Sequence, residues 1–285
     1  MLSIVDSHAH FWDIGYLSYP WLQEEPPLNR PYLPDHVPDG GADYRIERIV
    51  FVQADCLPNQ GVAEVDWVSG LADADRRIAG IVAFAPLEHP NAAAPILETL
   101  SLRPLVKGVR RLIQSEPLGF STQPAFVQGV QMLAEYGFTC DLCIKHPQLP
   151  DVISLVQQCP DVRFVLDHIG KPDIKNHVMQ PWRQNITALA ALPNVWCKIS
   201  GLVTEADKQK WTAEDLRPYI DAVIESFGVE RVMFGSDAPV AYLATTYDRW
   251  VETLRDATQG LSAADQERLF TANATEFYRL SRIQS

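Results

Sequence analysis

The chain has 285 residues and a mass of 32.0 kDa, enough for one large α/β domain whose core needs neither disulfides nor a structural metal. An apolar fraction of 47% with 21% charged residues excludes a disordered chain, and a net charge of −12 disfavours nucleic acid and anionic membrane surfaces as partners. No apolar run approaches the ~18 residues of a membrane span, the opening MLSIVDSHAH lacks the basic and apolar regions of a secretory signal, and an odd set of cysteines (56, 140, 143, 159, 197) reads as reduced thiols of a cytoplasmic protein.

In chain order, short β-rich apolar runs recur at Leu2–Asp6, Arg48–Gln53, Ile78–Phe84, Leu105–Arg110, Phe138–Ile144, Val162–Asp167, Val195–Ile199 and Val232–Gly235. Amphipathic stretches lie between them, at Val62–Arg76, Ala92–Leu100, Pro124–Tyr136, Gln148–Gln158, Pro181–Leu192 and Ala213–Phe227, with Thr246–Ala257, Ala263–Phe270 and Thr275–Leu280 after the last strand. Pro124, the acids after Thr212 and Asp265 after Ser262 mark helix starts. Strands alternating with helices imply a parallel sheet covered by helices, and eight such units predict a single-domain (β/α)8 barrel rather than an open doubly wound sheet. No G-x-G-x-x-G follows the first strand, which disfavours a dinucleotide-binding fold. The first βα connection, residues 11–43, is long and rich in Pro and aromatics, and is expected to form a lid or pocket wall at the C-terminal end of the barrel. Cys140 and Cys143 form a C-x-x-C inside a predicted strand, where residues three apart face opposite sides, so they are expected to pack in the core rather than share a metal.

Polar residues interrupt this pattern at strand ends. Asp6, His8 and His10 follow a two-residue period and are expected to share one inward face. The sixth strand ends Asp167-His168-Ile169-Gly170-Lys171-Pro172 and the eighth ends Gly235-Ser236-Asp237-Ala238-Pro239. His8, His10, His168 and Asp237 are therefore the candidate catalytic residues at one barrel mouth. Arg110 and Lys198, on the fourth and seventh strands, are candidate substrate-binding cations, whereas alternation turns Arg111 away. Trp12, Trp21 and Trp182 could each stack on an apolar face of a substrate, and are equally expected as core residues. Two neutral imidazoles and a carboxylate suit a divalent metal, zinc in the first instance, with His8, His10 and Asp237 as its ligands. Asp237, desolvated at the mouth, is expected to have a raised pKa and to act as a general base.

The D-x-H-x-H of residues 6–10, the D-H-x-G-K-P of 167–172 and the F-G-S-D of 234–237 resemble the amidohydrolase superfamily, and within it the sugar lactonase and 2-pyrone-4,6-dicarboxylate lactonase branch. Tyr19-Pro20-Trp21-Leu22, Val52-Gln53-Ala54, Lys107-Gly108-Val109-Arg110-Arg111, Lys198-Ile199-Ser200-Gly201 and Asn273-Ala274 extend the resemblance along nearly the whole chain. It implies a distorted barrel that hydrolyses a small-molecule lactone, such as L-fucono- or L-rhamnonolactone. Asp237 would then activate water, the three histidines would polarise the carbonyl or orient that water, and Arg110 would grip substrate. Many superfamily members have a histidine closing strand five as a metal ligand, but here His146 lies past the apolar run, so metal-independent catalysis is the alternative to one zinc. Ala238 stands where relatives often have Trp, which is expected to reshape the pocket. Two other readings are a metal-dependent decarboxylase of the same superfamily and a non-catalytic sugar-acid binding barrel. Oligomeric state has no signature in the sequence.

Overall fold

The computed structural model describes residues 1–281. Its strands are β1 (Leu2–Ala9), β2 (Tyr44–Val52), β3 (Ile78–Ala83), β4 (Val106–Val109), β5 (Thr139–Leu142), β6 (Phe164–Leu166), β7 (Val195–Ile199) and β8 (Val232–Phe234). The helices are α1 (Gly61–Ala74), α2 (Pro90–Ser101), α3 (Pro124–Gln131), α4 (Leu133–Tyr136), α5 (Leu149–Gln158), α6 (Trp182–Ala190), α7 (Leu202–Glu205), α8 (Ala213–Phe227), α9 (Tyr247–Ala257), α10 (Ala263–Glu267) and α11 (Asn273–Phe277). The strands form one sheet in the order β1 to β8, each paired in parallel with the next. This is the single-domain barrel that the alternation of elements predicts. No described helix is long and apolar enough to cross a membrane.

Strand residues buried on both faces explain the near-continuous apolar runs. Ile4, Ile49, Phe51, Ile81, Leu142 and Phe164 pack outward against the helices, whereas Val5, Val50, Val52, Val82, Val165 and Met233 form a second cluster with Ala274, Phe277, Tyr278 and Leu280. The segment after β8 thus ends as a plug beneath the barrel's inner layer.

The β8–β1 seam is joined by the Ala9–Ala238 bridge and by bonds from His10 N to Ala238 O (2.7 Å) and Asp237 N to His8 O (2.8 Å). Side chains complete it. Asp6 Oδ1 accepts from Ser236 N (2.9 Å) and His8 N (3.1 Å), Asp6 Oδ2 accepts from Tyr247 on α9 (3.0 Å), and Ser7 Oγ donates to Phe234 O (2.6 Å). The expectation that Asp6 shares a face with His8 and His10 is corrected here. The β1–β2 register shifts between Asp6 and Ala9, which breaks the two-residue period and leaves Asp6 to close the seam.

The connection over residues 11–43 folds as three short turns (Pro20–Glu24, Pro26–Leu28, Pro34–His36) around its own apolar cluster of Trp12, Leu17, Tyr19, Leu22, Leu28 and Tyr32. Trp12 is fully buried, and its Nε1 donates to Arg30 O at 2.8 Å. It is a core residue of the loop, and the expected role in stacking on substrate is not met.

Candidate active site

Strand ends bring the sequence-predicted residues together. His8 Nε2 lies 3.2 Å from His10 Nε2, and Asp237 Oδ1 lies 3.4 Å from His10 Nε2, 3.7 Å from His8 Nε2 and 3.8 Å from His168 Nε2. All four side chains are buried, at the C-terminal ends of β1, β6 and β8. Above them is a cavity of about 250 Å³, lined by His10, His168, Asp237, Arg110, Lys171 and Trp21 among others. A larger groove of about 1110 Å³, lined by Arg45, Arg48 and Arg76, lies at the opposite end of the barrel, away from these residues.

Backbone strain aims two of the four. Asp237 has φ 60, and His168, Ile169, Gly170 and Lys171 have φ of 53, 49, 74 and 48. Four successive left-handed residues cost about 1–2 kcal/mol for each that is not glycine. Burial of Ile169, the Lys171 N to His168 O bond (2.9 Å) and a bond from Trp182 Nε1 to Ile169 O (2.8 Å) hold the turn. Trp182 is thus a buried support of the site, which corrects its expected contact with substrate. Gly201, with φ 66, passes so close to His168 that a Cβ would collide with the imidazole.

The ring nitrogens remote from the cavity are occupied. His10 Nδ1 faces the Val52 carbonyl at 2.7 Å, an acceptor only, so Nδ1 carries the proton and Nε2 presents its lone pair. His168 Nδ1 meets Ser200 Oγ at 2.9 Å. His8 Nδ1 lies between Lys198 Nζ (3.2 Å) and Asp167 Oδ1 (3.3 Å). Burial lowers the pKa of all three histidines, His168 to about 4, so they are neutral at neutral pH. The raised pKa expected for Asp237 is corrected. Burial pushes it up, but interactions with His168, His10 and His8 outweigh burial and hold the carboxyl well below its usual range.

Neutral imidazoles with an ionised carboxylate are the donor set for a divalent cation. Tetrahedral ligands at zinc-like bond lengths stand about 3.4 Å apart, and the His8, His10 and Asp237 donor atoms form a triangle with edges of 3.2, 3.4 and 3.7 Å. His8, His168 and Asp237 form an overlapping group that could hold the same ion. His146 sits in the turn after β5 and does not line the cavity.

The two candidate cations divide. Arg110 lines the cavity while donating to Asp167 Oδ2 (3.1 Å) and Gln53 O (2.6 Å). Lys198 is fully buried and bonds Asp141 Oδ2 (2.6 Å) beneath the histidines, so its expected direct contact with substrate is not met. Ala238 is buried at the β1–β8 seam and does not itself line the cavity. Cys143, expected in the core, borders the cavity, and all five cysteines are free thiols. Lys171, whose Nζ donates to Gln114 Oε1 (2.6 Å), is a cavity residue that alternation could not find, because a left-handed turn has no strand period. Asp141 had a signal, an acid inside an apolar strand run.

From the first loop, Trp21 reaches the cavity wall and donates from Nε1 to Ala54 O at 2.8 Å. Ala54 N donates in turn to Oε1 of fully buried Glu64 on α1, at 3.1 Å. Burial pushes the Glu64 pKa up from 4.5 to about 7. The folded protein therefore binds this proton more tightly than the unfolded chain. The resulting stability is complete below pH 4.5 and is lost as pH rises through 7, by about 3 kcal/mol. Glu64→Gln keeps an acceptor for Ala54 and removes the charge. In unfolding titrations it should match wild type at pH 5 and exceed it by about 2–3 kcal/mol at pH 8.5; equal stability at pH 8.5 would refute the assignment.

The chain matches the amidohydrolase family over residues 5–280. It is 35% identical to an L-fucono-1,5-lactonase of Burkholderia multivorans, covering 97% of this chain and 96% of that one. It is 23% identical to an L-rhamnono-gamma-lactonase of Scheffersomyces stipitis, covering 97% and 98%. Among solved structures it superposes on a Burkholderia multivorans amidohydrolase with bound zinc, with a TM-score of 0.85, 32% identity and coverage of 99% and 100%.

Proposed function

Because this chain belongs to the amidohydrolase family, we propose that its barrel mouth hydrolyses a small sugar-acid lactone, an aldonolactone such as L-fucono- or L-rhamnonolactone. One observation carries the reading: an ionised Asp237 and three neutral imidazoles converge beneath a cavity of about 250 Å³, small enough to suit a single sugar ring. The names of the two lactonase relatives support the reaction class. Arg110, Lys171, Gln114 and Thr204 offer polar groups to ring hydroxyls, and Trp21, Leu112 and Val240 offer an apolar wall.

Water beside Asp237 adds to the ester carbonyl while its proton passes to the carboxylate. The Asp237 carboxylate accepts that proton as the new C–O bond forms. Arg110 and the imidazole edges face the charge that develops on the carbonyl oxygen. The tetrahedral carbon then expels the ring oxygen, the C–O bond of the ring breaks, and the proton held by Asp237 passes to that oxygen to give the open hydroxy acid. His8, His10 and Asp237 would hold a divalent cation, zinc in the first instance, which supplies positive charge to offset the oxyanion.

The test is a pH-indicator assay of five- and six-membered aldonolactones, with and without a chelator. The expected outcome is one proton released per ring opened, with turnover lost on chelation and restored by zinc. If no aldonolactone is opened above the uncatalysed rate, the reading fails. Undiminished turnover after chelation would remove the metal from it.

A further inference from the structure

Beneath the histidines, a run of buried polar groups descends the barrel axis to the plug. Lys198 Nζ lies 3.2 Å from His8 Nδ1, 3.0 Å from Asp167 Oδ1 and 2.6 Å from Asp141 Oδ2. Tyr278, just past α11, donates from its hydroxyl to the same Asp141 oxygen at 2.6 Å, and its ring lies 5.5 Å from Lys198 Nζ. Lys198, Asp141, Asp167 and Tyr278 are all completely buried. In so buried a run each contact is stronger than it would be in water, and the groups hold one another in place.

The Lys198 ammonium is pulled between two carboxylates, one on β5 and one just past the end of β6. Its place against His8 depends on how much of the Asp141 charge remains to attract it. The Tyr278 hydroxyl takes up part of that charge. Without it, Asp141 draws Lys198 toward the plug and away from His8 and Asp167. We propose that Tyr278 is a positioning residue of the active site, acting through Asp141 and Lys198 to set the His8 imidazole from the bottom of the barrel. Its catalytic consequence rests on the lactonase reading; its structural consequence at His8 does not.

Tyr278→Phe removes only the hydroxyl and keeps the ring. The comparison is Phe277→Leu, a change in the same plug at a residue that packs against Trp196 and meets the Tyr278 ring edge-on but has no part in the polar run. The readouts are kcat and KM for lactone opening and the ring 15N shifts of His8 in metal-free protein. Tyr278→Phe should lower kcat about 10-fold with KM within about 2-fold and should move the His8 shifts, while Phe277→Leu leaves kcat and those shifts in place. Unchanged kcat and unchanged shifts in Tyr278→Phe overturn the proposal, as does an equal kcat loss in Phe277→Leu, which would reduce the effect to packing of the plug. Should wild type open no lactone, the proposed reaction falls and the His8 shifts alone decide: moved in Tyr278→Phe, they uphold the positioning role; unmoved, they overturn it.

Discussion

Asp237→Asn should lower kcat/KM for lactone opening about 10³-fold, within the range set by loss of a general base. Asn has nearly the same shape, so the backbone bonds from Asp237 N to His8 O and from Ala241 N to Asp237 O can persist. What disappears is the negative charge among three neutral imidazoles and the acceptor for the proton of water. The far-UV circular dichroism should match wild type, which separates lost chemistry from lost fold. A folded Asp237→Asn enzyme turning over within 10-fold of wild type would remove Asp237 as the base.

Lys198→Met should cost about 3–5 kcal/mol of unfolding free energy, the penalty for leaving buried charge without its partner. Methionine fills much of the lysine volume, so the loss is electrostatic rather than a cavity effect. Asp141 and Asp167 then face each other's charge with Arg110 as the remaining cation, which reaches Asp167 alone. Denaturant titration gives the loss directly. Adding Asp141→Asn to Lys198→Met should recover part of it, because one stranded carboxylate is gone. A loss under 1 kcal/mol in the single variant would mean that the buried ions are not held by one another.

The barrel is legible in the sequence because strands buried on both faces read as uninterrupted apolar runs, and the rim is legible because those runs stop at His, Asp and Arg. Period-two reasoning turns Arg110 and Lys198 into the barrel. It cannot give their depth along the axis, and depth decides that Arg110 reaches the cavity while Lys198 lies beneath the histidines. It fails at Asp6, where a shift in register reverses the side chain, and at Lys171, where the backbone leaves the strand for a left-handed turn. Trp12, Trp21 and Trp182 look alike in one dimension. The folded loop buries the first, exposes the second to the cavity, and α6 sets the third beneath the turn.

The turn at residues 168–171 bears on how such a pocket can diversify. The imidazole of His168 and the amine of Lys171 ride on one mirror-handed loop of backbone, so redirecting one redirects the other, and neither can drift alone toward a new ligand. The opposite wall has no such bond to the chemistry. Trp21 stands on a proline-stiffened loop and Val240 on a short turn, and exchanging either alters the shape of the chamber while the reacting groups stay where they are. Under the proposed lactonase reading, adaptation to different substrates would have its latitude there, with the side that carries His168 held constant by its own handedness.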